Sequence, residues 1–281
     1  MATNSTLRQS LKRLTPRPIW ALGSNSYWWW RNRGRHVWSQ RLNPRWRESQ
    51  RSLKAYQNLY AGKRCFIIGN GPSLRQTDMS LLKNEITFGL NRIYLLFPEL
   101  GFNTTYLVSV NELVLEQCAA EMRALQLPKF ITWRARRWCA SDPNAIFLDS
   151  DFTGPENFSP DITGRFFEGF TVTYVALQLA FYMGFEKVIL IGVDHSFTTT
   201  GPANAEVVSQ GDDPNHFSPG YFGKGFRWQL PDLVGSERAY RLAREAYSNA
   251  GRQVLDATVG GKLAVFPKVD YKGLFSSIQV R

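Results

Sequence analysis

The first chemical signal in this chain is a set of polar residues that end apolar runs: Asn70, Asn91, Asn111 and Asp194. A carboxamide offers a donor and an acceptor together, so it can hold a hydroxyl or a base edge without adding charge. Three asparagines along one rim suit a ligand that is itself anionic. The run FIIGNGPSL adds Gly69 and Gly71, which let backbone N–H groups approach a phosphate. Pro72 and Ser73 then open a helix whose N-terminus favours negative charge. The run is neither GxGxxG nor a Walker loop with its lysine. One asparagine at a strand end is ordinary turn chemistry; three in succession point to a site.

The second signal is His216, one of three histidines beside His36 and His195. It stands in GDDPNHFSPGYFGKGFRWQLPD, a tract rich in glycine, proline and aromatics. An imidazole there can take a proton from an attacking hydroxyl near neutral pH. Tyr221, Lys224 and Arg227 in the same tract offer hydrogen bonds or charge to a leaving phosphate. His195 reads rather as a cap on its strand end. Asp194, Asp212 and Asp213 suggest Mg²⁺, but no DxD or paired-acid motif precedes the tract. Asp212-Asp213-Pro214 reads as a solvated turn, so no metal site is expected.

The elements that must position these residues alternate between strands and helices. Residues 45–63 form a helix closing at Gly62, and RCFIIG is a buried first strand. ITFGLN (86–91) and TTYLVSVN (104–111) are further strands, followed by a helix over 112–125. KFITW and AIFLDS are short strand candidates. TVTYVALQLAFYMGFEKVILIGVD is an apolar helix that stops at Gly184 and a strand that ends at Asp194. Ser236 is expected to cap a helix that ends before Gly251, and QVLDAT is a last strand. This order implies an α/β, doubly wound, mostly parallel sheet, with ligands outside the carboxyl ends of its strands. Residues 195–235 are too long for a plain connection and are expected to be a lid.

Charge divides the chain. Residues 1–64 hold 14 Lys+Arg against the single acid Glu48, together with six of the nine tryptophans, whereas residues 65–281 hold 20 against 22. Residues 1–61 are therefore a basic, Trp-rich arm, and 62–281 a near-neutral α/β domain. Indoles and cations suit an anionic membrane surface; packing on the body or a second subunit, or binding nucleic acid, are the other readings. Three scattered cysteines, Cys65, Cys118 and Cys139, fit a reducing compartment. The chain has neither an apolar stretch of spanning length nor a secretory leader pattern, so a cytoplasmic protein, peripheral at the inner membrane face, is expected.

GNGPSL, LNRIYLLF, VNELVLEQ and FTVTYVALQLAFYMGFEKVILIGVD, in that order, resemble the bacterial sialyltransferases of glycosyltransferase family 42. NHFSPGYFGKG looks like that family's lid segment with its catalytic histidine. The same signature occurs in a broader group of 6-hydroxymethylpterin diphosphokinase MptE-like proteins, which the ending ATVGGKLAVFPKVDY resembles more. The resemblance implies a Rossmann-like fold of glycosyltransferase A type. It implies inverting, metal-independent transfer of an acidic sugar from a CMP-activated donor to a glycan or glycolipid, with no cofactor. It casts His216 as general base and Gly69, Asn70, Gly71, Ser73, Asn91, Asn111, Thr171, Asp194, Ser196 and Tyr221 as donor-binding residues. Ser196 stands where the family has a phosphate-binding tyrosine, and Tyr221 is the substitute this chain offers. Diphosphate transfer from ATP with Mg²⁺ to a pterin, and RNA binding without catalysis, are the rival readings.

Overall fold

The computed structural model describes residue 40, residues 42–153 and residues 155–276. Most of the expected arm, with its tryptophan cluster, lies outside them. The larger of two compact units begins at Ser49, within helix α1 (Pro44–Tyr56). Leu53 on that helix is fully buried, and Ser49 Oγ accepts a hydrogen bond from the Phe147 N–H at 2.9 Å. The second half of α1, expected in the arm, is thus part of the body.

Seven strands form one sheet: β1 (Arg64–Ile68), β2 (Thr87–Leu90), β3 (Tyr106–Ser109), β4 (Lys129–Thr132), β5 (Ala145–Leu148), β8 (Lys187–Ile191) and β11 (Gln253–Asp256). Their order is β11-β8-β1-β2-β3-β4-β5, and every pairing in it is parallel. The doubly wound sheet expected from the alternating pattern is the one observed. RCFII and KVILI are almost continuously apolar because both faces of a central parallel strand are covered. Between β5 and β8 lie the two-residue strands β6 (Ser150–Asp151) and β7 (Phe166–Phe167), paired with each other.

Helix α2 (Glu112–Ala124) joins β3 to β4, α3 (Val172–Tyr182) precedes β8, and α4 (Leu233–Asn249) precedes β11. α3 is apolar nearly all round, and nine of its 11 residues are buried, as befits a helix between the sheet and α4. Two local expectations are corrected. Pro72 opens a 3₁₀ turn (Pro72–Gln76), not an α-helix, and a second turn (Met79–Leu82) follows, with Asp78 accepting from the Ser80 N–H. α4 starts at Leu233, capped by Asp232 through the Gly235 N–H at 2.7 Å, and Ser236 lies inside it.

The tract 195–235 is folded and fastened. β9 (Glu206–Val208) and β10 (Arg227–Gln229) form an antiparallel ribbon. The Phe217 N–H donates to the Asn70 carbonyl at 2.9 Å, Arg75 Nε donates to the Phe217 carbonyl at 2.6 Å, and buried Arg92 donates to the Tyr221 carbonyl. Among the described residues no helix is long and apolar enough to cross a membrane.

Candidate active site

After β1 the chain steps through β2 to β5 toward one edge, then returns to place β8 and β11 on the other side of β1. Such a switch leaves a crevice beyond the carboxyl ends of the two central strands. A cavity of about 150 Å³ lies there, floored by Gly69–Gly71 after β1 and Gly192–Phe197 after β8. The first turns of α3 and α4 form its sides, and Asn215 and His216 of the folded tract close it.

The two glycines let the strand ends touch. A Cβ on Gly69 would meet the Gly192 carbonyl, and one on Gly71 would meet the Asp194 carboxylate. Asp194 accepts from the Ser73 N–H at 3.0 Å and from Ser73 Oγ at 2.7 Å. Burial raises the Asp194 carboxyl above its ordinary value, and the Ser73 bonds offset part of that rise. Ser73 fastens the turn and is not in the cavity wall. Asn70 is in the wall, only 9% exposed, and among the described residues its Oδ1 has no hydrogen-bond partner. Leaving a buried acceptor unpaired costs about 1–3 kcal/mol, which a ligand hydroxyl or amino group would recover.

The other two asparagines do not join it. Asn91, at φ 47°, accepts from Ser109 Oγ at 3.0 Å and so ties β2 to β3. Asn111 caps α2, accepting from the N–H groups of Leu113 (2.9 Å) and Val114 (3.3 Å). Neither lines the cavity. The expected row of three carboxamides reduces to Asn70, because the others are committed to turn and cap chemistry. Thr171 does reach the wall. It caps α3 through the Thr173 N–H at 3.3 Å, with the Tyr240 hydroxyl 3.4 Å away. Ser196 is also in the wall.

His216 Nδ1 lies 2.7 Å from Asp213 Oδ2. Asp213, 7% exposed, also accepts from the N–H groups of Asn215 (2.8 Å) and Phe222 (3.2 Å). A carboxylate in that role keeps the proton on Nδ1 and the lone pair on Nε2. The ring is fixed by stacking on Tyr221, centroids 4.0 Å apart at 11°. Tyr221 is wholly buried behind His216, outside the wall, and burial raises its phenol. The reading of Asp212-Asp213-Pro214 as a solvated turn fails at Asp213, whose carboxylate is buried. Lys224 is exposed, and Arg227 pairs with Glu116 at 2.5 Å; neither lines the cavity.

Sequence reasoning named Asp213 only as a metal or turn residue and missed its hold on His216, and it missed Glu237, whose Oε1 lies 3.2 Å from His195 Nε2. The three-residue spacing of Asp213 and His216 was the available signal. The arrangement offers an imidazole base, the N-terminus of α3, which favours an anion, and, among the described residues, the unpaired Asn70 oxygen. The oxygens of Asp194 and Asp213 are taken by protein donors, a poor fit to a divalent cation.

Residues 43–200, more than half of the chain, match the family model described as 6-hydroxymethylpterin diphosphokinase MptE-like. No curated protein matches. One similar solved structure is that of MAf glycosyltransferase from Magnetospirillum magneticum AMB-1, at 14% identity and a TM-score of 0.47. The match covers 83% of this chain and spans 39% of that one.

Proposed function

The chain belongs to the 6-hydroxymethylpterin diphosphokinase MptE-like family, and from that premise and the cavity's chemistry we propose that it is a sialyltransferase-like glycosyltransferase using a CMP-activated acidic sugar. One observation carries the reading: a buried carboxylate orients an imidazole that faces a cavity at the switch point of a parallel sheet. The acceptor hydroxyl gives its proton to His216 Nε2. Its oxygen bonds to the donor's anomeric carbon from the side opposite the phosphate, and the carbon–oxygen bond to phosphate breaks, its electron pair leaving with CMP. The N-terminus of α3 meets the donor's negative charge, and Asn70 Oδ1 accepts from a nucleotide hydroxyl or amino group. At about 150 Å³ the cavity is smaller than sites that enclose a whole ligand of this size, about 300–1,000 Å³, so only part of such a donor would be enclosed.

The family's description supplies the second reading, diphosphate transfer from ATP to a pterin. It asks for Mg²⁺ ligands where Asp194 and Asp213 are already engaged. A thermal-shift panel separates the two. Stabilisation by CMP and CMP-sugars that EDTA leaves unchanged supports the transferase, whereas stabilisation only by ATP–Mg²⁺ and pterin supports the diphosphokinase. The basic arm is proposed to bring the enzyme to glycolipid acceptors on an anionic membrane face, alone or as a homo-oligomer. Removing residues 1–43 then abolishes pelleting with anionic vesicles; undiminished pelleting refutes it.

A further inference from the structure

The cavity has a second imidazole. His195 follows Asp194 at φ 53°, and Phe170, also in the wall, sits at φ 64°. Left-handed backbone at bulky residues is costly and concentrates where a site needs it. The His195 side chain is 9% exposed, with Nε2 3.2 Å from Glu237 Oε1. Arg241 donates to the other Glu237 oxygen at 2.8 Å, and the Tyr240 ring lies 6.3 Å from the imidazole. Asp194, next in sequence, lines the same cavity.

Among the described residues, neither arginine nor lysine lines this cavity. An anionic donor placed there would face the Asp194 carboxylate, and only the two imidazoles can carry positive charge. Their tasks differ. His216 must keep a lone pair on Nε2 to act as a base. His195 has Nε2 committed to the Glu237 carboxylate, and Nδ1 remains to donate.

We propose that His195, held by Glu237, binds the donor's phosphate as an imidazolium, the task that arginine, lysine or tyrosine serves in other phosphate sites. This rests on the nucleotide-donor reading above. The phosphate sits between His195 and the N-terminus of α3, and Asn70 engages the nucleoside.

The test is calorimetric titration of the full chain with methyl cytidine 5′-phosphate, a diester whose charge is constant from about pH 6 to about pH 8, and with cytidine. Wild type should bind the diester at least tenfold more tightly than cytidine near pH 6, and the ratio should shrink near pH 8. His195→Asn, which tolerates the left-handed backbone, should lose most of that ratio and its pH dependence while binding cytidine normally. Glu237→Gln should weaken the diester selectively, and His216→Gln should keep the ratio. Wild-type ratios at both pH values in folded His195→Asn overturn the inference and leave the donor reading standing. Failure of wild type to bind either compound overturns both.

Discussion

Asp213 and His216 are joined by one hydrogen bond, 2.7 Å from Nδ1 to Oδ2, and the carboxylate is itself held by the N–H groups of Asn215 and Phe222. The bond fixes which ring nitrogen faces the cavity, and the reaction proposed here depends on that choice. His216→Gln should lower transfer by about 10²–10⁴-fold with donor affinity nearly unchanged. Asp213→Asn should cost about as much, since an amide no longer holds the tautomer. Single-turnover assays beside donor titration check both. A variant with full transfer removes that residue from the reaction.

The contact between the two central strand ends should govern stability as well as binding. Gly71→Ala would push a methyl group into the Asp194 carboxylate. The expected loss is about 1–3 kcal/mol in denaturant titration, as for other overpacked sites.

Glu168 is buried beside Arg134 and Ser150, accepting from them at 2.9 Å and 2.6 Å. Burial raises its carboxyl, and the Arg134 charge only partly offsets this. The folded protein therefore holds that proton more tightly than the unfolded chain. Its contribution to stability is present at low pH and is lost as pH climbs from about 4.3 through the higher native value. Glu168→Gln removes the group, so its unfolding midpoint should vary less with pH across that window. An identical pH profile refutes the assignment.

Lys129 on β4 is fully buried, with Nζ 3.0 Å from Asp142 and further bonds to the carbonyls of Leu125 and Leu127. Truncating one member of such a pair strands the other charge. Asp142→Ala should cost about 3–5 kcal/mol, far more than loss of the exposed Arg75–Glu99 pair, worth about 0–1 kcal/mol. Chemical denaturation of the two variants compares them.

The sheet was legible because its strands are apolar runs cut off by glycine or asparagine, and the apolar run 172–182 admits only a buried helix. The site was half legible. FIIGNGPSL ends at the candidate cavity, and the histidine in the long tract lines the same cavity. Asn111 misled because a capping asparagine and a ligand-binding one look alike in sequence; only the paths of the Leu113 and Val114 N–H groups separate them. Asp213 was hidden for the opposite reason. Beside Asp212 and Pro214 it has the composition of a solvated turn, and burial came from the Tyr221–Phe222 fold-back, a non-local event. Ser236 reads as the cap in sequence, but Asp232, four residues earlier, is the one whose side chain accepts from the Gly235 N–H.

A structure with a non-reacting CMP-sugar analogue tests the central claim most directly. The phosphate is expected at the start of α3, a ligand donor on Asn70 Oδ1, and the anomeric carbon open to a hydroxyl held by His216 Nε2. An analogue bound away from the β1–β8 crevice, or an imidazole turned from the sugar with Asp213 released, would contradict it.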